Sequence, residues 1–376
     1  MPAAASKPRA IVVGAGVVGL TTALVLARRR IFTGGIHILA AHLPGDIDAM
    51  YYASPWAGAH WRSMADSSEP QTVQFDRDTL FELQRLATTL PHTETGLLMA
   101  PGKEYWEKRP KDVRPPWYSS ILPGYAEIPA SDLPAGVEYG IRYETVLIDS
   151  PSYLKYLVRE LTALGVTFEK RAISHLSDSV PADAHAGVVT IVNCTGLGAA
   201  KIGGVNDGNR LYPTRGQTVH VRAPFHKVSD TITMNHANGI LDYYIPRAKS
   251  GIVICGGTFQ QHNVREQPDK ETSERILRNN LALAPGLSKD GTLEGIEVVK
   301  EAVGMRPTRL GGIRCEASTR VKKYDDGGRA QSAIIYAHNY GHGGGGYQGS
   351  WGSAFAVASA IERELNSLNI SLSSKL

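Results

Sequence analysis

The segment AIVVGAGVVGL, residues 10 to 20, constrains this chain more than any other stretch. An apolar strand runs into Gly14, Gly16 and Gly19, and a helical pattern, VVGLTTALVLARRR, starts at Val17. Glycine at these three places permits a tight turn, close approach of main chain to a pyrophosphate, and close packing of helix on strand. A Gly34-Gly35 turn and a second strand, IHILA, complete a strand–helix–strand unit over residues 9 to 39. Taken alone, the three glycines also suit a purely structural turn. Residues 11 to 27 are short for a membrane span, carry glycines at fixed spacing and lack the cleavage site of a secretory leader, so no membrane partner is expected.

A chain of 376 residues has room for about two domains. Forty Lys and Arg against 36 Asp and Glu leave a formal charge of +4. The basic residues are scattered apart from KRPKDVRPP at 108 to 116, which reads as a solvated loop and not as a nucleic-acid footprint. Cys194, Cys255 and Cys315 have no metal-ligand spacing, and an odd count argues against a disulfide framework, which points to a reducing compartment. The sequons at Asn193 and Asn369 then carry no weight. Ser374, Lys375 and Leu376 spell the address read by the peroxisomal import receptor, so the peroxisome matrix is the expected location.

Further along, a helix is expected at 76 to 90, and the proline-rich residues 91 to 140 read as loops and short strands. Ser150 followed by Pro151 starts a helix that runs to Gly165. VTFEKRAI and GVVTIVNCTG read as strands; RGQTVHVRA, LDYYIPR and GIVICGGTF suggest a mostly antiparallel sheet. A helix near 270 to 284 and the strand GIEVVKEAVGMRP follow. The last helix shows Ala354, Phe355, Val357, Ala358, Ile361 and Leu365 on one apolar face.

Four consecutive glycines, Gly343 to Gly346, stand between His342 and the Tyr347-Gln348 pair, directly before that helix. A glycine run is entropically expensive to order, so it calls for something bulky and non-protein against the main chain; the alternative is a flexible surface loop. IVNCTG, residues 191 to 196, resembles the segment that closes over FAD in two-domain flavoproteins, although a buried strand ending in a turn reads the same way. A flavin that accepts hydride gathers negative charge, which a helix N-terminus and free N–H groups stabilise. The acid that usually holds the adenosine ribose is missing: Ala40, Ala41 and His42 end the second strand, and Asp46 and Asp48 are the nearest carboxylates.

The stretches GAGVVGL, ASPWAGAHW, VNCTGLGA, RGQTV, YYIPR, VICGGTF, EGIEV, VGMRPTRLGG and HNYGHGGGGYQGSWG together resemble the D-amino-acid oxidase family, especially its fungal branch, from residue 9 to the C-terminal tripeptide. The resemblance implies an α/β chain with a Rossmann-like FAD-binding domain, discontinuous over residues 1–60, 150–205 and 300–376. A second α+β substrate domain, on a mostly antiparallel sheet, is expected over 61–149 and 206–299. It implies Arg306 as the arginine that grips the substrate carboxylate with two parallel hydrogen bonds. A surface arginine near a domain junction is the alternative, equally open to Arg309 and Arg314.

Tyr243 matches the tyrosine whose hydroxyl bonds the same carboxylate, with Tyr244 pointing to the other face of the strand. Gly344 matches the carbonyl that accepts from the substrate amine, and Gln348 a residue that holds a nearby water. FAD contacts are implied at Gly14, Ala15, Gly16, Val17, Val18 and Gly19, and at Ser54, Ala57, Gly58, Ile173 and Thr195. Arg306, Gly343, Gly344, Gly345, Gly346, Tyr347 and Gln348 complete that set.

No acid–base side chain is expected, since the substrate gives up its α-hydrogen as hydride to the flavin, oxygen being the final acceptor. Phe259 stands where a number of relatives have a second tyrosine, and His60 where asparagine is frequent. Met234, Tyr243 and Phe259 are expected to line the pocket without positive charge, which favours neutral and apolar D-amino acids over D-aspartate. A homodimer is implied by the family. The alternatives are another flavin amine oxidase, acting on D-aspartate, glycine or sarcosine, and a non-catalytic NAD(H) sensor.

Overall fold

The computed structural model describes residues 9–46, 50–111, 113–180, 187–324 and 330–368; Asp48, Asn369 and the tripeptide 374–376 lie outside the described residues. The chain begins with β1 (Arg9–Val13), α1 (Val17–Arg28), β2 (Ile36–Ala40), α2 (Pro70–Thr89), α3 (His92–Thr95), β3 (Leu97–Trp106), β4 (Ala126–Glu127) and β5 (Tyr139–Ile148). It continues through α4 (Ser150–Ala163), β6 (Thr167–Lys170), β7 (Gly187–Asn193), β8 (Leu211–Arg222), β9 (Thr231–Asn235), β10 (Leu241–Arg247) and β11 (Ile252–Gly256). Then come β12 (Gln260–Gln261), α5 (Lys270–Leu283), β13 (Glu297–Arg309), β14 (Arg314–Tyr324), β15 (Ala330–Tyr340) and α6 (Ser350–Ser367).

Two compact units divide the chain, one made of Met1–Tyr52, Leu154–Tyr212 and Pro307–Leu376, the other of Ala53–Tyr153 and Pro213–Arg306. Each of the four crossings lies a few residues from the boundary expected from sequence. Two of them fall inside continuous strands, β8 and β13, at Pro213 and Pro307. The shift has a consequence: Ser54, Ala57, Gly58 and Arg306, expected in the nucleotide-binding domain, belong to the second unit.

In the first unit the described strands form a sheet in the order β14-β15-β7-β1-β2-β6. All neighbours are parallel except β14, which runs antiparallel to β15 at one edge. Ile11, Val13, Leu39, Ile191 and Ile334 build the core on one face. Helices α1 and α6 pack on each other, burying Leu20, Leu24, Ala354, Val357, Ala358 and Ile361. Phe355 instead sits at the rim, half-buried, with the Arg29 guanidinium 5.8 Å from its ring centre.

The described strands of the second unit follow the order β12-β8-β11-β10-β9-β3-β5-β4, with β13 joining β8. Along that order the pairs are antiparallel except β3 with β9, as the sequence led us to expect. One face packs against α5 through Ile276, Val219, Val221, Met234, Tyr244 and Cys255. Helix α2 begins earlier than expected because Pro70 sits in its first turn, where a missing N–H costs nothing. Within residues 91 to 140, read from sequence as loops and short strands, β3 runs for ten residues. Among the described residues no helix is long and apolar enough to cross a membrane, and no group of His, Cys, Asp and Glu could hold a metal ion.

Among the described residues four histidines are buried. Burial lowers His60, His338 and His342 to about 4 and His220 to about 3, with Arg62 adding to the effect at His60, Arg314 at His338, and Arg247 and Lys300 at His220. Below the ordinary histidine range the unfolded chain takes up protons that the folded chain refuses, so stability falls as pH drops from about 6.5 towards 4. Asp76, raised to about 7 by burial, opposes this over an overlapping window. Four groups against one set the sign: the thermal midpoint is expected to be lower at pH 5 than at pH 7, as differential scanning calorimetry will show.

Candidate active site

The turn after β1 is fixed by the fold itself at two of its three glycines. A Cβ on Gly14, whose φ is +110°, would stand 2.5 Å from the Cys194 carbonyl oxygen; one on Gly19 would stand 2.0 Å from the Gly14 carbonyl oxygen. These glycines let α1 and the end of β7 close on the turn. Gly16 caps α1 without a side-chain hydrogen bond, and the first turn carries no acid. The first N–H groups of α1 therefore offer a positive end to an anion. Ala15 and Val17 are buried and Val18 is half-buried. The carbonyl of Ala15 accepts a 2.7 Å hydrogen bond from the Tyr52 hydroxyl, and the Tyr52 ring stacks on His42 at 6.2 Å.

The glycine loop before α6 is anchored at both ends. Gly343 N donates to the Pro307 carbonyl at 2.8 Å, Gly345 N to His342 at 2.8 Å, and Gly349 N to Gly345 at 2.9 Å. The buried His342 bonds the Ser353 hydroxyl at 3.0 Å. Of the four glycines only Gly343 has a positive φ, +55°. At Gly346 a Cβ would meet nothing closer than Val17 Cγ1 at 3.8 Å, an ordinary contact. Protein packing therefore does not demand glycine there, and the main chain at Gly346 is left open to a neighbouring group. The same contact places the loop next to the first helical residue of α1. Helix α6 likewise starts at a glycine, Gly349, with no side-chain cap and no first-turn acid. Gly344 is exposed, Gln348 half-buried and Tyr347 buried. Two helix N-termini and bare peptide groups fit the phosphates and ring edge of a dinucleotide.

Elsewhere in this unit, Thr195 spends both its N–H, at 3.2 Å, and its hydroxyl, at 2.7 Å, on Asn193 Oδ1. Ile173 packs against the sheet core. Asp46 accepts from Leu43 N at 3.0 Å and Lys170 Nζ at 2.9 Å; the Lys170 bond is the main reason its carboxyl lies below the ordinary aspartate range. Asp46 is thus engaged within the protein.

In the second unit the structure separates candidates that sequence left equal. Arg306 is half-buried, donates from Nη1 to the Thr258 carbonyl at 3.0 Å, and lies 5.2 Å from the centre of the Phe259 ring. Among the described residues it has no carboxylate within ion-pair distance. Arg309 by contrast holds Asp207 through two bonds of 2.9 and 2.8 Å, and Arg314 bonds Glu316 at 2.7 Å. Tyr244 donates to Asp230 Oδ1 at 2.7 Å and is buried in the core, whereas the half-buried Tyr243 makes no hydroxyl hydrogen bond among the described residues. Tyr243 lies across Gly256, its strand partner: a Cβ there would stand 2.1 Å from Tyr243 Cζ, and one on Gly257 3.0 Å from the hydroxyl oxygen. Gly256, Gly257, Thr258 and Phe259 therefore carry both the tyrosine and the arginine.

Met234 was expected beside Tyr243, but it pairs with Asp242 and lies in the core on the opposite face; Thr233 stands opposite Tyr243. Phe259 is 52% exposed, so its ring covers the guanidinium from the solvent side. Sequence reasoning missed Arg247. Its guanidinium, 5% exposed, donates to the carbonyls of Pro55 (3.0 Å), Ala57 (2.6 Å) and Gly58 (2.8 Å), which shapes the segment holding Ser54, Ala57 and Gly58. A charged residue ending an apolar strand was the available signal. Tyr52 gave none, because its partner is a carbonyl distant in sequence.

The family described as FAD dependent oxidoreductase matches residues 9–360. A D-amino-acid oxidase of Schizosaccharomyces pombe is 38% identical over 350 residues, 93% of this chain and 95% of the relative. A D-aspartate oxidase of Talaromyces thermophilus is 32% identical, covering 94% of this chain and 95% of its own. Among solved structures, glycine oxidase from Geobacillus kaustophilus superposes with a TM-score of 0.67 over 99% of this chain and 100% of the other, at 18% identity.

The two kinds of glycine separate by experiment. Gly19→Ala should lower the stability of the flavin-free protein by about 2 kcal/mol, the range for forcing atoms into a packed site. Gly346→Ala should leave that stability unchanged and weaken FAD binding, measured by fluorescence titration of apoprotein.

Proposed function

We propose, for a chain that belongs to the family of FAD-dependent oxidoreductases, the oxidative deamination of neutral and apolar D-amino acids to 2-oxo acids, ammonia and hydrogen peroxide. Arg306 carries the proposal: a half-buried guanidinium with one bond to a main-chain carbonyl and, among the described residues, no carboxylate partner. Its planar fork matches a carboxylate by two parallel N–H···O bonds. Tyr243 supplies a further donor, and the Phe259 ring shields the pair from water, which strengthens the attraction.

When bound, FAD supplies the acceptor for the hydride leaving the α-carbon and passes the electrons on to oxygen. The contribution of this chain is orientation. Arg306 and Tyr243 hold the carboxylate, and within the first unit the N-termini of α1 and α6 favour negative charge on the dinucleotide. No side chain needs to act as base, because the amine can lose its proton to solvent before the hydride leaves.

A side-chain carboxylate would lack a counter-ion here. Arg275, the guanidinium that reaches Gly257, is committed to Asp242 at 2.6 Å. That favours D-alanine and larger apolar substrates over D-aspartate. The tripeptide Ser374-Lys375-Leu376 supports the peroxisome matrix as the compartment, where released peroxide is best contained.

Arg306→Ala should raise KM for D-alanine by about 10- to 100-fold, the worth of hydrogen bonds to a charged group, and leave FAD bound. Peroxide release measured with D-alanine, D-aspartate, glycine and sarcosine tests the substrate class. Faster turnover of any of the last three than of D-alanine would overturn it.

A further inference from the structure

Gly256 and Gly257 have no side chains, so their position is set by bonds to their peptide groups. We propose that Arg275 and Asn280 of α5, with Asp242 of β10, are positioning residues that hold this segment from behind and so set the geometry of Arg306 and Tyr243 for a carboxylate. The proposal rests on the carboxylate-binding reading of Arg306.

Asn280 Nδ2 donates to the Gly256 carbonyl at 3.1 Å, and Arg275 Nη2 to the Gly257 carbonyl at 3.2 Å. Both glycine carbonyls are thus taken by side chains of one helix. Arg275 is steered in turn by Asp242, which is wholly buried and accepts from its Nη1 at 2.6 Å. The other Asp242 oxygen accepts from Asn279 Nδ2 at 2.6 Å and lies 3.0 Å from His236 Nε2. His236 Nδ1 is 2.5 Å from Glu107. A carboxylate of such low exposure is costly unless its neighbours satisfy it, and here the Arg275 guanidinium and the Asn279 amide do.

The chain links this buried group to the binding surface in two ways. Asp242 immediately precedes Tyr243, so on a strand it points to the opposite face. The second branch of the Arg275 fork meanwhile reaches Gly257, which lies beside the Tyr243 hydroxyl and next to Gly256, on which the Tyr243 ring rests. Thr258, one peptide further, gives its carbonyl to Arg306 and accepts a 2.8 Å bond at its hydroxyl from Gln217 N. A displacement of Gly257 must move Thr258, because adjacent Cα atoms are held about 3.8 Å apart. Lysine can replace one branch of a guanidinium but not both.

The test compares Arg275→Lys, Arg306→Ala and the double variant in the FAD-loaded enzyme. Arg275→Lys should keep the wild-type thermal midpoint, because its charge still meets Asp242, while KM for D-alanine rises about fivefold, the loss of one hydrogen bond, with kcat less affected. In the double variant the rise in KM should be smaller than the product of the two single effects, since residues acting through one another do not add. An unchanged KM in Arg275→Lys, or effects that multiply, would overturn the proposal. Asn280→Ser, which removes the donor to Gly256, decides it independently: a raised KM supports it and an unchanged one does not. If Arg306→Ala leaves KM untouched, the carboxylate reading fails first and this inference goes with it.

Discussion

Main chain with small side chains or none is held chiefly through its peptide groups, and the candidate functional surfaces of this protein are built on such chain. In the first unit the Ala15 carbonyl is taken by Tyr52 and Gly343 N by Pro307. In the second, the Gly256 and Gly257 carbonyls are taken by Asn280 and Arg275, and those of Pro55, Ala57 and Gly58 by Arg247. Each bond is worth only about 1 kcal/mol net, yet leaving such a group buried and unmet costs more. The result is bare main chain that is nevertheless rigid, which a flat ring or a pyrophosphate can approach closely.

The polar groups left over are as informative as those that are satisfied. Three arginines lie within nine residues of one another, and two of them, Arg309 and Arg314, are neutralised by Asp207 and Glu316. Adjacent tyrosines divide in the same way: Tyr244 is consumed by Asp230, while Tyr243 keeps a hydroxyl without an intramolecular partner among the described residues. Folded proteins pair most of their buried polar groups internally, so a half-buried fork and hydroxyl meeting on one short segment mark where a ligand completes the set.

Much of this was legible beforehand. Gly14, Gly16 and Gly19 announce the strand–helix turn, at Gly14 and Gly19 because sterics leave no other residue, and period-two patterning revealed β8, β10 and β11. The strand β3 was hidden by its Pro101-Gly102 pair, which reads as a turn. The register shows why it is tolerated: β9 pairs with β3 only from Gly102 onward, so the proline's missing N–H faces no partner on that side. The placement of Met234 failed for a one-residue reason, since adjacent strand positions face opposite ways. The roles of Arg247, Tyr52 and Arg275 depend on carbonyls far away in sequence, and local pattern contains no such information.

The first unit has its β1 near residue 9, but its sheet lacks β14 and β15 until Tyr340 has been made, and α1 lacks its partner α6 until Ser367 has. At about 5–20 residues per second, a ribosome leaves that half-sheet open for tens of seconds. Folding from the N-terminus as the chain emerges is therefore closed to this protein. The apolar strands β1, β2 and β7 must be kept from pairing with neighbours on the same messenger, so chaperone supply should govern the yield of expression more than the stability of the finished molecule does.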